Sequence, residues 1–319
     1  DDNLTLYAAG YDAEDNYVND VAADWAVTGT LDNAVSPGTG TSTIFSPYTA
    51  STSGTITATF GAATAGETGT IDVAGGEVAT IRLRTEADNA GDVYSDTTIT
   101  TDSSLTLHAA GYDAEDNYLH DVTVTWSNTG DLLPAVSGTG TSYLFEPSTA
   151  GRSGRILADS STISGTTGTI IIDPGSVDYV LIRDAANNSG NVVGAVSMTT
   201  DESLTLYAAG YDAEDNYVSD VAADWAVTGT LDNAVAPTPG TSTVFSPSTS
   251  ATSGTITATF GTATAGETGT ITVSAGAVDY VLIRDTANNG GSTVGAVAMS
   301  TDDNLTLYAA GYDAEDNYV

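Results

Sequence analysis

The stretch LTLYAAGYDAEDNYV occupies Leu4–Val18 and returns at Leu204–Val218 and Leu305–Val319; a close variant, LTLHAAGYDAEDNYL, lies at Leu105–Leu119. Successive copies begin 101, 99 and 101 residues apart, the length of one β-sandwich domain. Within the first copy Leu4, Leu6, Ala8 and Gly10 share one face, and Thr5, Tyr7, Ala9 and Tyr11 the other. That is the two-residue period of a strand. His108 stands where Tyr7 does, which suits a solvent-facing position. The Asp-Ala-Glu-Asp-Asn segment that follows has the composition of a turn.

The flanking sequence continues the pattern. Beyond the turn, Val21, Ala23, Trp25 and Val27 point inward and alternate with Ala22, Asp24 and Ala26; Val122, Val124 and Trp126 repeat this. Ile56, Ala58 and Phe60, then Ile71 and Val73, are expected inside as well. Short strands separated by Gly, Ser, Asn and Asp turns at this spacing predict an all-β chain. Its units are tandem immunoglobulin-like antiparallel β-sandwich modules of about 100 residues. Trp25, Trp126 and Trp225 share one position late in the third strand. A buried tryptophan there is an immunoglobulin-like mark, here without the disulfide it often covers.

The leading strands set the phase. VATIRLR starts at Val78, and VDYVLIR starts at Val177 and again at Val278; GTIIID (Gly168–Asp173) and GTITV (Gly269–Val273) close modules. Residues 77–176 and 177–276 are therefore expected to be complete modules. Residues 1–76 lack a first strand, and residues 277–319 supply only the beginning of a module. Asp302–Val319 repeats Asp1–Val18 letter for letter. Two readings stay open: a window on a longer array, or a protomer that lends its end strands to its neighbours.

Forty-two acids face six bases in 319 residues, a formal charge of -36. All six bases are arginines, and the chain has no lysine, glutamine or cysteine. No cationic patch exists to exchange for the counterions of nucleic acid, so nucleic acid is excluded as a partner. Disulfides and lysine-based isopeptide bonds are excluded too, leaving packing, hydrogen bonds and ions to supply stability. No run approaches 18 apolar residues, so no membrane insertion is expected. Copies of the chain repel one another at low salt.

The acidic turn is the most distinctive chemistry. It comprises Asp12, Glu14, Asp15, Asn16 and Asp20, and recurs as Asp113, Glu115, Asp116, Asn117, Asp121 and as Asp212, Glu214, Asp215, Asn216, Asp220. The 1, 3, 5 spacing of oxygen donors resembles the start of a calcium loop, though the glycine and the distal glutamate are missing. The alternative is a solvated hairpin turn whose Asp and Asn bond their own backbone. A second cluster, Asp184, Asn187 and Asn188, is matched by Asp285, Asn288, Asn289 and by Asp88, Asn89. It either shares an ion with an acidic turn or is a plain connector. Calcium is thus the one cofactor these residues suggest.

His108 and His120 occur in one module only, and no nucleophile with a base and an orienting group can be assembled. An enzyme is not expected. Tyr11, Tyr17, Tyr112 and Tyr118 flank the turns and either pack there or meet a carbohydrate or another chain.

The stretch AAGYDAEDNYVNDVAADWAVTGT, followed by GTGTSTIFSP and SGTITATFG, is similar to the bacterial immunoglobulin-like (Big) repeats of invasin- and intimin-type surface adhesins and fibres. The resemblance covers nearly the whole chain. Its turn usually carries glycine where Asp15 stands here. It implies a structural or adhesive role, an extracellular or cell-surface location, and no catalytic residues. The expectation is a filament or stalk of repeated modules, stiffened by calcium or by packing, whose partners are copies of itself or adjoining modules. The alternative is an adhesin that grips a carbohydrate or a partner protein through its loops.

Overall fold

A computed structural model describes residues 2–319; Asp1, the first residue of the expected 1–76 module, lies outside them. The chain is all strand and turn, with no helix among the described residues. It falls into two compact units, Asp1–Ile99 with Ser103–Asp173, and Thr100–Asp102 with Pro174–Val319.

In the second unit the residues from Tyr179 to Ser274 form a sandwich. Its first sheet places the leading strand Tyr179–Arg183 antiparallel to Leu204–Tyr211. Leu204–Tyr211 also pairs with Tyr217–Asp220 and with Ser242–Phe245. On the other side Asp224–Val227 pairs with Ile256–Thr259. There too Val196–Thr199 runs parallel to Ile271–Ser274, which pairs antiparallel with Thr252–Gly254. The chain thus begins in one sheet and crosses to the other before its second long strand, and the two sheets close on one core. That core holds Val180, Ile182, Leu206, Trp225, Phe245, Ile256 and Ile271. A further strand pair in this unit joins Tyr280–Arg284 to Tyr308–Tyr312.

The first unit contains two cores. One is built on Leu83, Leu107, Trp126, Phe145, Ile156 and Ile170. The other is built on Ala8, Ala23, Trp25, Leu31, Phe45 and Ile56. Each tryptophan ring lies in its core and its indole N–H donates to a backbone carbonyl, Gly40 at 3.0 Å, Gly140 at 3.1 Å and Gly240 at 2.9 Å. The polar end of the ring is thereby satisfied out of water.

Two expectations from the alternation are corrected. The face of the long strand expected to look outward is buried at its C-terminal end, at Ala110 and Tyr112 and again at Ala209 and Tyr211. The Asn-rich loop folds over it: Tyr112 Oη bonds Asn89 Oδ1, and Arg84 Nη1 donates to Tyr112 Oη at 3.2 Å. Phe60, expected inside, is exposed because no strand among the described residues covers it, whereas Phe260 packs against its core.

Truncating a buried tryptophan removes its transfer energy and leaves a cavity, about 3–5 kcal/mol. Trp126→Ala is expected to lose that much in chemical denaturation. Trp25→Ala, in the more open first core, should lose less.

Candidate functional site

Every acidic turn has the same internal build. The first aspartate accepts from the backbone N–H groups two and four residues on. In the first copy Asp12 Oδ1 takes Glu14 N at 3.0 Å and Asn16 N at 2.9 Å. The fourth turn residue is left-handed in all copies, φ 64° at Asp15, 68° at Asp116, 67° at Asp215 and 67° at Asp316. That conformation suits glycine best and Asp or Asn next.

The copies differ in their surroundings. Asp12 is exposed, whereas Asp113, Asp212 and Asp313 are buried. Asp113 Oδ2 accepts the N–H of Gly76 at 3.2 Å and the side-chain amide of Asn117 at 3.0 Å. Asn117 then reaches the preceding repeat: its Oδ1 accepts from Ala50 N at 3.1 Å, and its Nδ2 donates to the Tyr48 carbonyl at 3.0 Å. In the second unit Asp313 Oδ2 accepts from Gly276 N at 3.0 Å and from the Thr200 hydroxyl at 2.8 Å. Asn317 bonds Ser250 N and the Ser248 carbonyl, each at 3.0 Å. Asp212 takes the Thr101 hydroxyl at 2.7 Å and Gly175 N at 2.9 Å. The turn is a joint: it closes its own hairpin and holds the tail that leads into its module.

Donors decide the charge state of the joint. Burial pushes the Asp313 carboxyl up, but the N–H of Gly276, the Thr200 hydroxyl and both donors of Asn317 outweigh it and bring the pKa from 3.8 to about 2. Asp113 is lowered for the same reasons, burial opposing and Asn117, Gly76 and Glu115 prevailing. These carboxylates remain charged and hydrogen-bonded while shielded from solvent.

The remaining expected site residues go to separate partners. Asp116 pairs with Arg82 at 2.8 Å, and Asp215 accepts from the Tyr179 hydroxyl at 2.7 Å. Asp20, Asp121 and Asp220 accept from Tyr17, Tyr118 and Tyr217. Burial, then the hydrogen bond to Asp121, pushes Tyr118 up to about 12. The Asn-rich loop meets the hairpin of its own module: Asn187 N donates to Asp220 Oδ2 at 2.8 Å, Asn188 Oδ1 accepts from Tyr211, and Asp184 Oδ1 takes Asn191 N at 2.7 Å. Glu14, Glu115 and Glu214 are exposed. Among the described residues no three acidic or histidine side chains come together as a metal-holding group. His108 Nδ1 lies 4.0 Å from Asp121 Oδ2, and His120 is exposed.

The sequence reading missed the other half of the joint, Gly76, Gly175, Gly276, Thr101 and Thr200. The signal was present: a glycine two residues before each leading strand, and Thr-Asp three residues before each long strand. A Cβ on Gly276 would lie 2.2 Å from Asp201 Oδ1, and Asp201 Oδ2 accepts from Ala277 N at 2.7 Å. A larger residue there would displace the Asp201 carboxylate from this position.

Fold and joint together define a tandem array of immunoglobulin-like sandwiches. No protein-family model and no curated protein matches the chain. Among solved structures it is similar to the Escherichia coli adhesin FdeC, at 15% identity over 76% of this chain and 77% of that one, TM-score 0.36. It is also similar to domains FN1–FN3 of chicken CNTN1, at 12% identity over 81% and 90%, TM-score 0.30. A third is the I9–I11 tandem of titin, at 8% identity over 86% and 94%, TM-score 0.22.

Asp113→Ala strands buried N–H groups and should cost about 1–3 kcal/mol in chemical denaturation; Asp12→Ala, in solvent, should cost less. The folded pKa of Asp313 is depressed, so its stabilisation is present above the unfolded value and lost as pH falls. Thermal midpoints should drop between the ordinary value of 3.8 and about 2, and less steeply in Asp313→Asn.

Proposed function

We propose that this chain is a structural component of an extracellular filament or cell-surface stalk, of the bacterial immunoglobulin-like type that its motifs resemble. One observation carries the reading. In the buried turns the residues that close the hairpin also hold the preceding tail, at Asp113 and Asn117 in one unit and at Asp313 and Asn317 in the other. A binding loop has no need to repeat its sequence; a joint does, because each module must present the same face to the next. The joint is made of protein donors and acceptors, so the reading does not call for calcium. Of the tyrosines that flank the turns, Tyr112 is packed away and Tyr118 half-buried, which weighs against an adhesive role for them, whereas Tyr11 and Tyr17 are exposed.

Negative-stain micrographs before and after EDTA, at fixed ionic strength, test this. Slender regular fibres or rods are expected in both conditions. Loss of order on chelation would overturn the metal-free joint. Flexible beads in both conditions would overturn the structural reading and favour an adhesin. The double substitution Asn117→Ala with Asn317→Ala should leave the modules folded and loosen the particles.

A further inference from the structure

The backbone that Asn117 and Asn317 reach is itself held from behind. Tyr48 and Thr49 donate their N–H groups to Asp32 Oδ2, at 2.8 and 2.7 Å. The Thr49 N–H and the Tyr48 carbonyl belong to one peptide group, and that carbonyl accepts from Asn117 Nδ2 at 3.0 Å. Asn117 Nδ2 also donates to Asp113 Oδ2 at 3.0 Å. One peptide thus stands between a carboxylate of the first repeat and the side-chain amide of the second. A carboxylate that accepts from a peptide N–H polarises the group and makes its carbonyl a better acceptor. The second unit repeats the arrangement. Asp232 Oδ2 accepts from the N–H and the hydroxyl of Ser248, each at 2.8 Å, and the Thr249 N–H adds to them. The Ser248 carbonyl accepts from Asn317 Nδ2 at 3.0 Å, and Ser250 N donates to Asn317 Oδ1 at 3.0 Å.

A sandwich closes without this carboxylate. Asp32 and Asp232 lie in the loop after the tryptophan strand, LDNAV at Leu31–Val35 and Leu231–Val235. The matching stretch in residues 77–176 is LLPAV, Leu132–Val136, so Leu133 fills the same place. There Ser148 N donates to the Leu133 backbone carbonyl at 3.1 Å, while the core of that module is complete. At Asp232 the carboxylate is also costly. Its Oδ1 is buried and has no hydrogen-bond partner among the described residues, and a polar atom left so lowers stability. Burial pushes both carboxyls up. The donors of Thr49 and Tyr48 at Asp32, and of Ser248 and Thr249 at Asp232, outweigh it and hold both below the ordinary value. The charge is thus held in place by the very loop that the next repeat's asparagine meets.

We propose that Asp32 and Asp232 are positioning residues of the joint: each fixes the peptide that the asparagine of the following repeat binds. This rests on the structural reading above and adds the receiving half of its joint. The asparagine side chain needs an acceptor and a donor at a set separation. Asn117 finds them in the Tyr48 carbonyl and the Ala50 N–H, and Asn317 in the Ser248 carbonyl and the Ser250 N–H. Residues 48–50 and 248–250 are exposed or half-buried, so without the carboxylate their backbone groups turn to water and the segment samples other conformations. With it, the segment meets the neighbour already in the bound arrangement, and attachment loses less chain entropy.

Hydrogen–deuterium exchange of the full chain, read at single amides, tests this. In Asp32→Ala with Asp232→Ala, the Ala50 and Ser250 N–H groups should exchange about tenfold faster. The N–H groups of Trp25 and Trp225, in the cores, should not change. Asn117→Ala with Asn317→Ala should have the same effect at Ala50 and Ser250. Joining the two pairs of substitutions should add little, because both break one joint. Asp32→Asn with Asp232→Asn keeps an acceptor oxygen and should restore part of the protection. Unchanged exchange at Ala50 and Ser250 would overturn the positioning role. So would exchange that rises equally at Trp25 and Trp225, since the carboxylates would then serve the modules and not the joint. Either result in a chain that still forms regular rods in micrographs leaves the structural function standing. Flexible beads whose exchange follows the expected pattern keep the positioning role and overturn the function.

Discussion

A carboxylate withdrawn from water must be given hydrogen-bond donors, or it will not remain charged and the fold will not tolerate it. The arrangement at Asp113, Asp212 and Asp313 follows from that constraint. Each needs about four donors, and its own hairpin can supply only those of the residues two and four places on and the Asn amide. The rest must come from the chain arriving from the preceding repeat, Gly76, Gly175 or Gly276. Burial of the aspartate and attachment of the neighbour are thus one event. Asp12, which no preceding repeat meets among the described residues, is exposed and has only its local bonds.

The same two-sidedness governs the long strand. Its core face packs against tryptophan and isoleucine, and its other face is roofed by the Asn-rich loop and the hairpin. Left-handed residues at Asn187 and Asn188 turn that loop so that one backbone N–H reaches Asp220 and one side-chain carbonyl reaches Tyr211. Tyr179 stacks on Tyr211 with ring centroids 5.3 Å apart, so the leading strand, the loop and the hairpin brace each other. The leading strand therefore matters to core and joint together.

The alternation in Leu204–Tyr211 and the recurring tryptophans made the strands and the buried faces readable from sequence, because strand period and residue size are local properties. The self-bonding of Asp12 and Asn16 was readable for the same reason. The burial of Asp113 was not. Nothing within its own turn reports that Ala50, 67 residues from Asn117, will sit beside it. A cluster of carboxylates looks alike on paper whether it gathers round an ion or disperses to a tyrosine, an arginine and a glycine. Ala110 and Tyr112 misled likewise: a strand roofed by a loop is apolar on both faces, and alternation alone assumes that one face is wet. Phe60 was expected inside and is exposed, whereas Phe260 at the equivalent position packs against its core; alternation does not report which strand covers a position.

Val196–Thr199 lies parallel to Ile271–Ser274, near the start and the end of one sandwich. Tension applied through the chain pulls these two strands past each other along their length. The four register pairs between them are then loaded together, whereas a hairpin pulled at its open end gives way one pair at a time. Between these two strands a sandwich closed in this way resists shear along their length. The resistance of this sandwich to such shear is set by those four register pairs, not by the size of its core.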